Sequence, residues 1–359
     1  MKTPIITGFT EAGLVSYLKA RQYEALYWPN FFPLVGVNSL DGKTLIGDVG
    51  SRVAASIISY DAKAPEAGRK SVRTTYFDIP KTAYSRRKTE KEILEHTITR
   101  AMRGNDAVLE DYYADADFVY DACMARMEWI SLTSLSLTKL QLSASNNPMG
   151  IVNETVVDFG MPAANKKTVS VIWSAGNAAT MSPITDFKAV MKAARTLGVT
   201  LQRAIMHPDT LDLIIGCTEF QNAAKSFVLG QTQVLGLVGL DTVNAIFRAL
   251  GLVEISVVDT SIGIEGKDGA ITLANPWSAT HVLFVPQIAV GAMYNGPIAE
   301  EIEKPVDVIQ AKRGNVLISV QKDFNPVSVL TKGETNVFPS WPTVDRCINL
   351  YTNHASTWA

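Results

Sequence analysis

At 359 residues and 47% hydrophobic side chains, the chain can bury one large core or two ordinary ones, and it is neither disordered nor low in complexity. Its net charge of −2 hides an uneven distribution: Arg69 to Lys91 holds eight basic residues against two acids, whereas Asp106 to Asp121 holds six acids and no base. No window reaches the roughly 18 apolar residues of a membrane span, the first ten residues lack a signal-peptide core, and the scattered Cys123, Cys217 and Cys347 form neither a disulfide framework nor a zinc motif.

Residues 1 to 38 carry a short helical pattern (Leu14, Val15, Leu18, Tyr23, Leu26) and then Tyr27-Trp28-Pro29-Asn30-Phe31-Phe32-Pro33. Two prolines forbid a regular element there while four aromatics demand burial, so this arm is expected to lie on something other than itself. Gly42 to Tyr60 and Val72 to Pro80 favour strand on either side of a polar tip at Asp61 to Lys70, which predicts a long projecting hairpin. An isolated two-stranded ribbon is marginal in water, and a neighbouring subunit is its expected support. After Tyr84-Ser85-Arg86-Arg87, apolar residues at helical spacing (Ile93, Leu94, Ile98, Ala101, Met102) predict an amphipathic helix. Past a bend at Gly104-Asn105-Asp106, a second helical run from Val108 to Met127 keeps its acids largely outside, and the two runs make a spine with one interruption.

Leu135 to Leu142, Val152 to Phe159 and Val169 to Trp173 read as strands, and Ser174 to Met181 as a crossing between subdomains. Helix and strand then alternate. Ser182 and Pro183 open a helix that Gly198 ends, Val199 to Met206 is a strand, and His207-Pro208-Asp209 opens a helix through Ile215 with His207 as a structural cap. Asp241 to Leu250 is a short helix, Val253 to Ile264 and Ala270 to Leu273 form a hairpin, and Val282 to Pro286, Val316 to Val320 and Arg346 to Tyr351 are strands.

Motifs for catalysis fail on spacing. Gly42-Lys43-Thr44 ends like a phosphate-binding loop, but Val37 stands where the first glycine is required. Gly236-Leu237-Val238-Gly239 lacks the dinucleotide fingerprint, His96, His207, His281 and His354 form no ligand pair, and no nucleophile elbow is present. Asp115 and Asp117, two apart on a helix, point to different sides. No catalytic residue, metal or cofactor is expected, and the sequon at Asn153 reads as chance. Tyr76, Phe77 and Tyr84 interleave with the basic run, so one alternative is a nucleic-acid binder using residues 69 to 91; another is a two-domain enzyme with an unrecognised site.

The order of these parts, with Phe31-Phe32, the Tyr-x-Arg-Arg entry to the spine and the strand-Pro-helix at Met206 to Leu211, resembles the major capsid proteins of tailed phages, most of all the phage lambda capsid protein E family. The resemblance covers nearly the whole chain and implies an α+β, Hong Kong 97-type fold: an N-terminal arm at 1–38, an extended loop at 39–85, a peripheral domain at 86–180 completed by 311–359, and an axial domain at 181–310. It further implies an icosahedral shell of hexamers and pentamers around double-stranded DNA, made in the host bacterial cytoplasm and residing in the virion, with a separate scaffold protein, a portal, and room for a decoration protein at three-fold points. A nanocompartment shell of the same fold is the structural alternative. The expected contacts between subunits are Tyr27, Trp28, Phe31 and Phe32 from the arm; Arg69, Lys70, Arg73, Arg86 and Arg87 from the basic run; and Glu110, Asp111, Asp115 and Asp117 from the spine, where they would meet a neighbour's loop.

Overall fold

The computed structural model describes residues 8–47, 72–103, 105–150, 156–227, 239–354 and 358. Helix α1 (Glu11–Ala20) starts where the Thr10 hydroxyl accepts the Gly13 N–H at 3.1 Å, and Glu11 in its first turn and Lys19 in its last match the helix dipole. Leu14 and Leu18, one turn apart, are buried in a cluster with Phe9, Tyr112, Val119 and Ile318. The one-turn helix α2 (Trp28–Phe31) then leads to β1 (Leu34–Gly36). Here the arm departs from expectation. Trp28, Phe31 and Phe32 are buried in the chain's own core beside Val290, Met293 and Trp341, and Tyr27 packs half-buried at its edge. Pro29 sits in a first helical turn, where no N–H is missed, so the prolines shape the arm without keeping it off the body.

Strands β2 (Asp41–Gly47) and β3 (Val72–Asp78) pair antiparallel from Asp41↔Asp78 to Gly47↔Val72, and no third strand joins them among the described residues. This is the root of the expected hairpin; its outer part, with Arg69 and Lys70, lies outside the described residues. A hydrogen bond of 2.7 Å between the Thr44 and Ser340 hydroxyls pins the root to the body. Strand β4 (Lys81–Lys88) carries Tyr84-Ser85-Arg86-Arg87, so the chain enters the spine extended.

The spine consists of α3 (Glu90–Arg103) and α4 (Asn105–Leu137), the latter 33 residues long. Glu92 accepts from the Thr89 N–H at 2.7 Å and its hydroxyl at 2.9 Å, which sets the start of α3. The chain then doubles back, because His96 Nε2 lies 2.8 Å from Asp111 Oδ2 across the bend. Ile93 therefore faces α4, while Leu94, Ile98 and Met102, expected on the apolar inner face, point to solvent. Leu135 to Leu137, expected as strand, finish α4. Two serines of this stretch are satisfied inside the core: Ser131 Oγ donates to the Met127 carbonyl at 2.7 Å, and Ser136 Oγ accepts the Ser278 N–H at 2.8 Å. Burial on all sides overrides the local strand preference.

Beyond the spine come β5 (Lys139–Leu140), β6 (Val157–Asp158) and β7 (Lys166–Thr168). Val169 to Trp173 is not a strand. Asp186 takes the Ser170 N–H at 3.1 Å, the Ser170 hydroxyl at 2.9 Å and the Trp173 indole N–H at 2.9 Å, and this side-chain bonding replaces a ladder. Next are α5 (Pro183–Thr196), β8 (Arg203–Met206), α6 (Pro208–Gly216), α7 (Thr218–Phe227), α8 (Leu240–Ala249), β9 (Glu254–Val257), β10 (Ile262–Glu265), β11 (Ile271–Ala274) and β12 (His281–Val285). His207 caps α6 as expected, its Nδ1 accepting the Asp209 N–H at 3.1 Å. The chain closes with β13 (Ala292–Asn295), α9 (Ala299–Ile302), β14 (Val308–Arg313), β15 (Val316–Phe324), β16 (Val327–Ser340) and β17 (Ile348–Tyr351).

Two sheets organise these elements. One has the order β7-β17-β12-β8-β9, and its core packs Phe187, Phe247 and Phe284 edge to face. The other has the order β1-β13-β16-β15-β14, with β4 also paired to β16. The pairing cuts across the limits expected from the resemblance: the tail strand β17 lies in the sheet of β8 and β12, and β13 lies with the arm's β1 in the sheet of β16. Strand β16 was illegible as a strand because it contains Thr331-Lys332-Gly333-Glu334-Thr335-Asn336, yet most of that run is buried between β4, β15 and α4. Gly333 has its reason there, since a Cβ would stand 2.7 Å from the Val119 carbonyl oxygen of α4.

Candidate functional site

The charged seam between β4 and α4 is the most densely paired of the polar surfaces described. Lys88 Nζ lies 2.8 Å from Asp115 and 3.8 Å from Asp111, and Arg86 lies 3.5 Å from Asp115 with its guanidinium 3.6 Å above the Phe118 ring. Arg87 turns the other way, to Asp323 of β15 at 3.3 Å. The strand alternation of β4 explains the split, because neighbours in a strand face opposite sides.

The arm is held by carboxylates of α4. Asp117 accepts the Tyr17 hydroxyl at 2.7 Å and the Tyr23 hydroxyl at 2.6 Å, and Arg21 lies 3.3 Å away. Burial first, and then the bonded Asp117 carboxylate, pushes the Tyr17 phenol up to about 12 and Tyr23 further still. Three turns on, Glu128 is fully buried and accepts the Tyr27 N–H at 2.9 Å and the Trp28 N–H at 2.8 Å. Burial raises its carboxyl above the ordinary value, with the two N–H donors opposing.

A third cluster ties β4 to β16. Glu334, 1% exposed, receives Lys332 and Lys81 at 2.8 Å each, and Lys332 also bonds Glu300 of α9. Burial alone would raise the Glu334 carboxyl, but the two lysines outweigh it and hold the group below its ordinary 4.5. A depressed folded value means that the unfolded chain takes up the proton first. The stabilisation by Glu334 is thus complete above pH 4.5 and lost as pH falls through the depressed value. Denaturation midpoints of the wild type and Glu334→Gln measured against pH are expected to differ most at neutral pH and to converge in acid.

The residues singled out from sequence separate into groups. Arg69 and Lys70 are outside the described residues, and Arg73 is placed only by its strand register opposite Ile46. Glu110 is exposed and Asp111 half-exposed on the outer edge of α4. Asp115 and Asp117, expected to meet a neighbour's ribbon, are engaged inside the subunit by Lys88, Arg86, Tyr17, Tyr23 and Arg21, because α4 lies beneath both β4 and the arm. Arg86 and Arg87 are likewise paired within the chain. Glu128 and Glu334 were missed. The signal for Glu128 was a single acid within the otherwise apolar Met127-Glu128-Trp129-Ile130; Glu334 offered none, since its strand read as loop.

Among the described residues, no three His, Cys, Asp or Glu side chains converge on a metal-sized site, and no helix is long and apolar enough to cross a membrane. The architecture is similar to that of solved phage-related proteins. A prophage protein from Escherichia coli CFT073 assigned as a capsid protein superposes with a TM-score of 0.53 over 96% of this chain and 99% of its own, at 13% identity. A phage-related protein from Bordetella bronchiseptica RB50 superposes with a TM-score of 0.50 over 95% of this chain and 96% of its own, also at 13% identity. No curated protein matches the sequence. The fold is α+β and of the Hong Kong 97 type. The family model of the phage major capsid protein E matches residues 46–350, and the chain belongs to that family. It is a shell-forming major capsid protein of a tailed phage and a structural component of the virion.

Proposed function

We propose that copies of this chain close into hexamers and pentamers of an icosahedral shell around double-stranded DNA, each copy laying its β2–β3 ribbon across the spine helices of the next. The observation that carries this reading is the ribbon itself, which has two strands, no third strand paired to it among the described residues, and a root pinned to the body by Thr44. A ribbon of this kind needs a surface to be stable, and in a shell protein a sister copy supplies one. The subunit divides into an arm at 1–38, a loop at 39–85, a peripheral domain at 86–180 with 311–359, and an axial domain at 181–310, with β13 and β17 exchanged between the last two. Synthesis in the bacterial cytoplasm, a separate scaffold, a portal and a decoration protein at three-fold points complete the reading.

The charges of the ribbon set register more than affinity, because exposed ion pairs contribute only about 0.2 to 1 kcal/mol each. Of the spine acids expected to meet a neighbour, Glu110 and Asp111 are the exposed pair and the candidates for Arg69, Lys70 and Arg73 of the next copy. Reversing those three basic residues to glutamate is expected to abolish shells in negative-stain images of the co-expressed capsid genes while the subunit keeps its native circular dichroism. Shells of normal size and yield from this variant would refute the pairing. Direct use of the basic run on nucleic acid is disfavoured, since Arg86, Arg87 and Lys88 are already paired within the chain.

A further inference from the structure

One cation of the spine meets no opposite charge. Arg126 of α4 is half-buried, its guanidinium 5.1 Å from the centre of the Trp129 ring and its Nη1 donating to the Asn146 carbonyl at 3.0 Å. Among the described residues no carboxylate pairs with it, and burial pulls its pKa below the ordinary arginine value. A charge withdrawn from water in this way is costly until a counter-charge meets it. Arg126 lines a cavity of about 520 Å³ between α4, β4 and the β10–β11 hairpin. Trp129 and Ile130 give the cavity a buried apolar lining, and Met149 and Ile271, which also line it, are 54% and 67% exposed. Its two acids, Asp121 and Glu265, form no ion pair with Arg126 among the described residues, and Glu265 accepts the Tyr84 hydroxyl instead. The cavity therefore suits a segment that carries a carboxylate beside apolar side chains.

This chain displays such a segment. Every residue from Glu301 to Asp307 is exposed, with Ile302 at 70% and Val306 at 83%. The Glu303 and Asp307 carboxylates have no partner among the described residues. The segment is nonetheless held in place, because Glu301 meets Lys312 at 2.6 Å and Lys304 meets Glu11 at 2.8 Å. A segment fixed beforehand gives up less freedom on docking.

We propose that residues 302–307 of one copy enter the Arg126 cavity of the next, Glu303 and Asp307 supplying the missing carboxylate and Ile302 and Val306 covering Met149 and Ile271. The inference rests on the shell reading and adds a lateral contact in which the ribbon takes no part. Topology supports it. The segment leads into β14, at one edge of its sheet, and the cavity is walled by β4, at the opposite edge beyond β15 and β16. At the usual strand spacing the two edges stand about 14 Å apart, too far for the segment to turn back past β14 into its own cavity. A donor at one edge and an acceptor at the other make a heterologous contact, which closes a ring when the rotation between copies allows.

Two variants test the contact in the co-expressed assembly system. Glu303→Lys with Asp307→Lys is expected to cut shell yield by roughly tenfold or more, because Arg126 would then face like charge at every contact. Its free subunit should keep the native circular dichroism and melting temperature, since both side chains are exposed. Val306→Cys combined with Met149→Cys, oxidised in assembled shells, should give a ladder of covalently linked subunits on a non-reducing gel, to which the buried Cys123, Cys217 and Cys347 add nothing. This second variant decides the matter if the first misfolds. Wild-type shell yield from the folded charge-reversed variant, no ladder from the double-cysteine shells, or dimers from Val306→Cys alone, which would mean segment against segment, each overturn the contact and leave the shell reading standing. Failure of the wild type to form any shell overturns the shell reading, and the contact with it.

Discussion

Phe32→Ala is expected to destabilise the isolated subunit by about 3 to 5 kcal/mol, the usual cost of emptying a fully buried aromatic site. Phe32 is 0% exposed, and its ring lies where a Cβ on Gly291 would stand 3.0 Å away. The adjoining Phe31 carbonyl accepts the N–H groups of Val290 and Gly291 at 2.9 and 3.3 Å. Backbone and side chain together sew the arm to the strand that follows, so neighbours cannot collapse into the space left by the ring. Urea denaturation of subunits kept below assembly concentration measures the effect. A variant of wild-type stability that merely fails to assemble would return the arm to the role that its prolines and aromatics suggested, a contact between subunits.

Glu128→Ala is expected to cost about 2 to 5 kcal/mol and to expose the arm to protease between Arg21 and Pro33. Two N–H donors, those of Tyr27 and Trp28, would lose their only described acceptor inside the protein. The pH dependence has the sign opposite to that of Glu334. Burial raises the Glu128 carboxyl above 4.5, so the folded chain holds this proton more tightly than the unfolded chain. Its contribution is most favourable below the ordinary value and declines as pH rises through the raised one. Glu128→Gln, which keeps one acceptor and carries no charge, is expected to be hurt least at neutral pH, where the wild type bears the cost of a buried carboxylate. Limited proteolysis from pH 4 to 8, comparing wild type with both variants, reads this directly; a difference independent of pH would show that Glu128 does not titrate in this window.

Elements with strong local signals were legible in the amino acids alone. The Pro183 helix ending before Gly198, the strand running into the His207-Pro208 cap, the root of the hairpin and the order of parts that points to a phage capsid all depend on proline, glycine and capping chemistry within a few residues. What remained for the tertiary structure to decide concerned partners distant in sequence. Thr331 to Asn336 became strand because β4 and β15 supply hydrogen bonds on both sides, and Leu135 to Leu137 stayed helical because the end of α4 is buried in the core. Asp115, Asp117 and the arm aromatics turned inward because α4 runs beneath them, and Leu94, Ile98 and Met102 turned outward because the chain doubles back at the spine bend. Helical periodicity shows that a face is apolar; it does not show whether the surface that covers it belongs to the same molecule, since that depends on contacts made only when distant segments, or separate copies, are brought together.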